Sequence, residues 1–399
     1  MNRHLLLLAL CQGLFLVNNA TFIAINGLVG LQLAPLAWMA TLPVMGYVVG
    51  GALAAPLVAR TQTRYGRRGS FQIGLVVALG SALLAAFAAY IGSFWLLLMA
   101  TVVAGYYNAN GQLYRFAAVE LTYPEWHEKA VSLVLAGGIV GGFAGPRLAN
   151  WTRELVATPF VGAYLTLAVV AVAAMLVMAS IEFPRPASRS DTAAKGRSMA
   201  AIMCQPAFLV ATVAAAASYG VMNLLMAATP LAMEINGFEF ATTATVMQWH
   251  IIGMYAPGFG TGHLIRKFGV KTIMGAGVVL MFACVAIALS GTGLWHFLLS
   301  LVLLGMGWNF MFTGSTTLAM EGYRPEEKDR AQSAINFCIF AVMAITSFAS
   351  GAVVTTSGWA WLNIGSLPLL ALVAVMLVWL HARQKAGAGI DGARTHSES

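Results

Sequence analysis

The sequence predicts an all-α membrane protein of twelve transmembrane helices, arranged as two equivalent six-helix halves with both termini in the cytoplasm. Hydrophobic residues make up 59% of the 399 residues and charged residues only 9%, whereas a soluble domain carries about 25% charged residues. The apolar residues fall in runs long enough to cross a bilayer. One short basic segment also recurs at a separation of 203 residues, about half the chain.

Twelve apolar runs are long enough to cross the roughly 30 Å of hydrocarbon in a bilayer. Six lie near residues 4–29, 35–59, 70–91, 93–118, 129–151 and 158–181. Six more lie near 203–231, 240–264, 271–290, 295–319, 330–355 and 359–381. Each run must be helical, because backbone polar groups in lipid need partners within the segment. We therefore predict an N-terminal half at 1–182 and a C-terminal half at 203–381, with a cytoplasmic linker at 183–202 and a disordered cytoplasmic tail at 382–399.

The distribution of positive charge fixes the predicted orientation. With the N-terminus inside, nineteen Lys and Arg residues fall in cytoplasmic segments, and only Arg147 and Arg153 fall in outside loops. Positive residues accumulate on the cytoplasmic side of membrane proteins. The net charge of +8 therefore reflects membrane orientation, and we expect no nucleic-acid partner.

The recurring basic segment follows the second and the eighth run. Its first copy contains Arg64, Gly66, Arg67 and Arg68, and its second contains Lys267, Gly269 and Lys271. A second block repeats with a shift of 201, so that Glu120 and Glu125 correspond to Glu321 and Glu326. Repetition at a fixed separation indicates two copies of one unit. We interpret the basic segments as cytoplasmic gating loops between the halves.

Twelve spans in two sixes, with a basic Gly loop after the second and eighth, resemble the major facilitator superfamily. The family loop reads Gly-x-x-x-Asp-Arg/Lys-x-Gly-x-Arg/Lys. The second copy, Gly262 to Lys271, fits it except for Arg266 at the acidic position, and the first has Ala59 for the Gly and Thr63 for the Asp. Gly141, Gly145 and Pro146 in the fifth span match part of the family's antiporter Gly-Pro motif, and they also permit close helix packing.

A more local likeness involves Gln248-Trp249-His250 and Tyr114-Arg115-Phe116, which resemble a bacterial subgroup that includes riboflavin-type importers. The family resemblance implies a monomeric secondary transporter of the bacterial inner membrane. It also implies alternating access, with spans one, four, seven and ten around a central cavity.

Polar residues inside the spans provide the candidate cavity. Polar groups are costly in lipid and usually face a bundle interior or a water path. Paired amides and aromatics recur in spans four and ten, where Asn108 corresponds to Asn309 and Tyr107 to Trp308. The predicted cavity residues are Asn19, Tyr107, Asn108, Gln112, Arg115, Tyr219, Asn223, Trp308, Asn309 and Thr313. Hydrogen bonding between helices is the alternative role for the amides. Arg115 either binds an anionic substrate group or is a structural charge that pairs with Glu120 or extends to the membrane interface.

The sequence places no Asp or Glu at the centre of a span, so the usual proton carrier of such transporters is missing. His250 lies about ten residues into span eight, roughly 15 Å deep at 1.5 Å per residue. Imidazole titrates near neutral pH, so His250 is the candidate for proton coupling. A neutral histidine bonded between helices, or a direct substrate contact, are the alternatives.

The leading function is alternating-access transport of a small organic solute, coupled to protons, with efflux by antiport favoured. Import of a vitamin-like solute such as riboflavin, or uncoupled facilitation, are alternatives, and a channel or receptor is the alternative from another class. The sequence holds no phosphate-binding loop and no set of nucleophile and base, so we expect no enzyme, cofactor or metal. Membrane lipid is the other expected partner.

Overall fold

The computed structural model describes residues 3–123, 126–184 and 197–397. Within these ranges the chain is helical and contains no β-strand. This confirms the predicted all-α class. The glutamate at position 125, part of the second repeat block, lies outside the described residues.

The helical segments of the described residues fall into one set before the linker and one set after it. The first set is α1 (Arg3–Leu33), a 3₁₀ turn (Ala37–Met39), α2 (Leu42–Ile91), α3 (Phe94–Gly111), α4 (Tyr114–Glu120), α5 (His127–Thr152) and α6 (Val161–Ala179). The second set is α7 (Met199–Met203), α8 (Pro206–Ile235), α9 (Phe240–Tyr255), α10 (Gly258–Phe268), α11 (Val270–Ser290), α12 (Leu294–Ala319), a 3₁₀ turn (Pro325–Glu327), α13 (Lys328–Thr356) and α14 (Trp359–Ser397).

Nine helices of the described chain are long and apolar enough to cross a membrane. One of them includes α2, whose 50 residues would extend about 75 Å at 1.5 Å per residue, more than twice the hydrocarbon thickness. Gly66 interrupts α2 with non-helical backbone angles, so two crossing segments meet there. Helices α3 with α4, and α9 with α10, follow one another with only short breaks. The count of twelve crossings remains a prediction.

Each of the two basic loops contains a glycine with a positive φ angle. Gly66 has φ of 71° and Gly269 has φ of 86°. A positive φ costs a residue with a Cβ roughly 1–2 kcal/mol, so glycine is the usual choice. The repeat in sequence thus corresponds to the same left-handed step in each half.

The domain boundaries remain predictions. In two places a helix extends into a segment that was predicted to be linker or tail. Helix α7 begins within the segment predicted as linker and ends one residue beyond it. Helix α14 continues to Ser397, beyond residue 381, where an irregular tail was expected. The residues just after Leu380 include Ala, Arg, Gln and Lys, which are good helix formers, so the polar composition does not end the helix.

Each half is a bundle, and the bundles meet along helix pairs that cross between them. Helix α1 packs against α5 and α2 against α3, while α8 packs against α13 and α11 against α12. The halves touch where α5 meets α9, α2 meets α13 and α1 meets α8. These contacts enclose a space between the halves.

Candidate substrate cavity

A cavity of about 1400 Å³ lies between the two halves. This exceeds the roughly 300–1,000 Å³ of ordinary ligand pockets. Its lining extends past Gln62 and Thr63 to Arg67 and Glu120, beside the first basic loop. The cavity therefore reaches the face that the charge distribution predicts to be cytoplasmic.

A small hydrogen-bond network forms the deeper part of the N-half wall. Asn19 of α1 donates to the Tyr47 hydroxyl of α2 at 3.2 Å and lies 3.4 Å from Oδ1 of Asn108 on α3. All three residues line the cavity. Burial makes an unmet polar group costly, so the network fixes the positions of three helices, and the Asn108 amide nitrogen donates no hydrogen bond to the described residues of the network.

Arg115 and Gln112 lie on the same wall, nearer the basic face. The Gln112 side chain is exposed to the cavity. The Arg115 guanidinium lies 4.9 Å from the Phe116 ring centre, and its buried Nε has no hydrogen-bond partner. Glu120, which the sequence offered as its partner, binds Arg67 instead, with Nη2–Oε1 at 2.6 Å. The alternative in which Arg115 pairs with Glu120 is therefore wrong, because the basic loop brings Arg67 closer.

The C-half wall is lined mainly by methionine and phenylalanine. Tyr219 and Asn223 of α8 also line the cavity. The Asn223 amide nitrogen donates across to α13, to the Met343 carbonyl, Thr346 and Ser347 at 2.8–3.1 Å. Its nitrogen thus serves helix packing.

Four predicted cavity residues lie behind the lining. Tyr107 is buried against Phe15, with ring centres 5.5 Å apart. Asn309 is buried and joins three helices, since it donates to the Met254 carbonyl at 2.7 Å and accepts from Thr261 at 2.7 Å. The remaining two, Trp308 and Thr313, are also outside the lining residues.

Trp308 supports an aromatic cluster behind the C-half wall. Its ring stacks on Phe312 at 5.3 Å and meets the Tyr219 ring edge-on at 5.1 Å. Aromatic contacts of this kind contribute about 0.5–1.5 kcal/mol each beyond burial. Tyr219 and Phe312, which reach the cavity, are therefore held by a residue that does not.

His250 of α9 is fully buried where α9 faces α12, and it is not part of the cavity lining. Its Nδ1 lies 2.7 Å from the Leu301 carbonyl oxygen. A carbonyl only accepts hydrogen bonds, so the proton is on Nδ1. The other nitrogen, Nε2, is buried and has no partner among the described residues. This geometry matches the alternative of a neutral histidine bonded between helices.

The end of the cavity away from the basic loops is closed by contacts between the halves. Thr41 donates to the Ser347 carbonyl at 2.7 Å and accepts from the Gly351 amide at 2.9 Å. Trp38 and Phe348 pack edge-on nearby, with ring centres 5.9 Å apart. We call Trp38, Thr41, Ser347, Phe348 and Gly351 the outer contact. Together with the open basic face, it defines an inward-facing arrangement in the predicted orientation.

Sequence reasoning missed several lining residues. Tyr47 is not among the predicted cavity residues, although it carries a hydroxyl in a span. The methionines gave a spacing signal, since Met222 and Met226 are four residues apart, but apolar residues at helical spacing usually pack in a core. Asn336 gave no repeat signal.

A charged cluster outside the membrane was also missed. Arg197, at the end of the linker, binds Glu327 through Nη2–Oε2 at 2.7 Å and through its backbone amide at 2.8 Å. Hydrogen bonds from the Arg197 side chain first, and from the Arg324 amide second, lower the pKa of the Glu327 carboxyl to about 2. The cluster ties the linker to the start of α13.

Two helical bundles around a large cavity, with amide and charged side chains on one wall and methionines on the other, define a membrane transporter. The family model described as "Major Facilitator Superfamily" matches residues 5–345 and 211–396. The chain belongs to the major facilitator superfamily, as its sequence resemblance indicated, and it is an integral multi-pass membrane transporter.

Individual comparisons agree with this assignment. The chain is 34% identical over 381 residues to "Riboflavin transporter RfnT" of Brucella anthropi, covering 94% of this chain and 95% of that protein. It is 27% identical to the uncharacterized transporter YddS of Bacillus subtilis, covering 86% and 83%. The structure of nucleoside transporter NupG superposes with a TM-score of 0.74 at 11% identity, covering 94% and 99%. That last likeness concerns the fold alone.

Proposed function

We propose that this protein carries riboflavin, or a closely similar flat heteroaromatic solute, across the bacterial cytoplasmic membrane as a monomer by alternating access. The observation that carries the proposal is the 34% identity to a riboflavin transporter along almost the whole of both chains. The cavity chemistry supports it, because amides match ring carbonyl and N–H groups, and Met and aromatic side chains pack on ring faces.

The cavity favours facilitation without proton coupling over the antiport that the sequence favoured. Glu120 is the acidic residue among the described lining residues, and it is held by Arg67. His250 is separated from the cavity. In this proposal, flux follows the gradient of the solute, and either direction is open to the same protein.

Uptake of labelled riboflavin into proteoliposomes tests both parts. We expect saturable uptake that empty liposomes lack, and equal initial rates with and without a pH gradient. A rate that changes several-fold with the gradient would restore proton coupling. Absence of riboflavin flux, together with flux of another solute such as a nucleoside, would overturn the proposed substrate.

A further inference from the structure

The two walls of the cavity differ in chemistry. Among the described lining residues, the charged side chains all come from the N half, and the methionines all come from the C half. The charged residues are Arg67, Arg115 and Glu120. The methionines are Met222, Met226, Met247, Met254 and Met343. A solute between the halves therefore meets a hydrogen-bonding surface on one side and a polarizable apolar surface on the other.

The N-half wall has unused hydrogen-bond donors. Arg115 makes no hydrogen bond or ion pair within the described ranges, and its Nε is buried. A guanidinium offers five N–H donors and no acceptor, so its natural ligand in the cavity is an acceptor-rich edge. The amides of Gln112 and Asn108 lie three and seven residues before it, and all three side chains line the cavity.

The C-half wall offers fewer free donors deep in the cavity. Asn223 donates its amide protons to α13. Tyr219 is held by contacts with Trp308 and Phe312 at 5.1 and 4.9 Å. Around them, methionine side chains adapt to a ring and make favourable sulfur–aromatic contacts. The polar residues Ser333 and Asn336 belong to the first turns of α13, towards the mouth.

We infer that the solute binds with its acceptor-rich edge against Asn108, Gln112 and Arg115, and its apolar edge in the methionine wall of the C half. This inference rests on the proposed function. For a flavin, the dione ring would face the N half and the dimethylbenzene ring the C half. Alternating access then moves the two edges with different halves, so each half contributes its own part of the specificity.

The test uses two analogues, each altered at one edge. One flavin lacks both ring methyl groups, and the other is methylated at N3 of the dione. Affinities are measured by quenching of flavin fluorescence on the purified protein, separately from vesicle uptake. Wild-type protein should bind the first analogue roughly fifteenfold more weakly, at about fourfold per buried methyl group. It should bind the N3-methyl analogue about fivefold more weakly for each hydrogen bond lost.

Variants of the two walls should then separate these preferences. Gln112→Ala and Asn108→Leu should reduce the discrimination against the N3-methyl flavin and keep that against the demethylated one. Met226→Ala and Met343→Ala should reduce the discrimination against the demethylated flavin and keep that against the N3-methyl flavin. Thermal unfolding identifies any variant that fails to fold. The orientation is then tested with the other variant of the same wall.

Each outcome has a separate meaning. The opposite crossover, or equal loss of both preferences in every variant, overturns the orientation. Failure of all three flavins to bind wild-type protein overturns the inference together with the proposed substrate. Binding with the expected crossover, but without vesicle flux, supports the orientation and overturns only the proposed transport of riboflavin.

Discussion

At the scale of single residues, two asparagines at equivalent positions of the repeat make different contacts. Asn108 faces the cavity, whereas Asn309 is saturated by Met254 and Thr261. The shift of 203 that relates the basic loops places Val58 where the C half has Thr261. Valine offers no hydroxyl, so Asn108 lacks the hydroxyl donor that Asn309 has, and its Oδ1 accepts from the Asn19 amide nitrogen at 3.4 Å instead. The position repeats, but the neighbour that determines its role does not.

His250 allows a test of structural against proton-carrying roles. In His250→Asn, the amide N–H can take over the bond from Nδ1 to the Leu301 carbonyl, so stability should be retained. His250→Leu loses that bond and should cost about 1 kcal/mol. We expect both variants to keep the pH profile of riboflavin exchange in proteoliposomes. A profile flattened in both variants would show that the imidazole carries the proton.

The sequence predicted the residue types of the site better than their directions. The amides and Arg115 were found because polar groups stand out in apolar spans. Whether an amide faces the cavity or a neighbouring helix depends on helix rotation by a fraction of a turn, which the spacing alone does not specify. Glu120 pairs with Arg67 and not with Arg115 because of the path of a loop. Helical periodicity does not describe loop paths.

At the scale of elements, glycines in α5 allow it to pack directly on α1. A Cβ on Gly141 would overlap the carbonyl oxygen of Gly13, and one on Gly137 would overlap that of Ala9. The helices therefore approach to backbone contact, as small residues permit in membranes. The role in helix packing that the sequence predicted for Gly141, Gly145 and Pro146 stays a prediction, and the following substitution tests it.

Gly141→Ala should destabilise the protein by about 1–3 kcal/mol, because a backbone oxygen cannot move aside for the added methyl group. Gly138→Ala is the matched control, since its Cβ would lie 3.4 Å from the flexible Gln12 side chain. Thermal unfolding in detergent compares the two. Equal melting temperatures would contradict direct backbone packing at Gly141.

The contact between Arg197 and Glu327 predicts a pH-dependent attachment of the linker. The pKa of Glu327 is lowered to about 2, from about 4.3 in an unfolded chain. The stabilisation is therefore complete above about pH 4.3 and is lost as the pH falls towards 2. Glu327→Gln should melt at a lower temperature than wild type at pH 7, and the gap should close on acidification through this window.

The exposed neighbour Glu326 supplies the control for this experiment. Glu326→Gln should melt close to wild type at every pH between 3 and 7, a range chosen to include most of the window. A gap for Glu327→Gln that is independent of pH would show that packing, not charge, is the contribution of this carboxylate.

At the scale of the whole molecule, the same contacts that close one end of the cavity hold the halves in the inward-facing arrangement. The repeat predicted two halves, and helix pairs α2–α13 and α5–α9 join them. Which face is open could not be predicted, because the sequence is shared by every state of the cycle. Relative populations depend on small differences in free energy between the contacts of each state.

Thr41 is the polar centre of the outer contact, with bonds to Ser347 and Gly351 of the other half. Thr41→Val keeps its shape and removes both bonds, at about 1 kcal/mol each, so the outward-facing population should rise by roughly tenfold or more. Spin labels at Leu155 and Ile235, exposed residues in opposite halves, should report longer distances. Thr355→Val is the control, since that hydroxyl bonds only within α13. An unchanged distance distribution in Thr41→Val would mean that aromatic packing at Trp38 and Phe348, not these hydrogen bonds, determines which face is open.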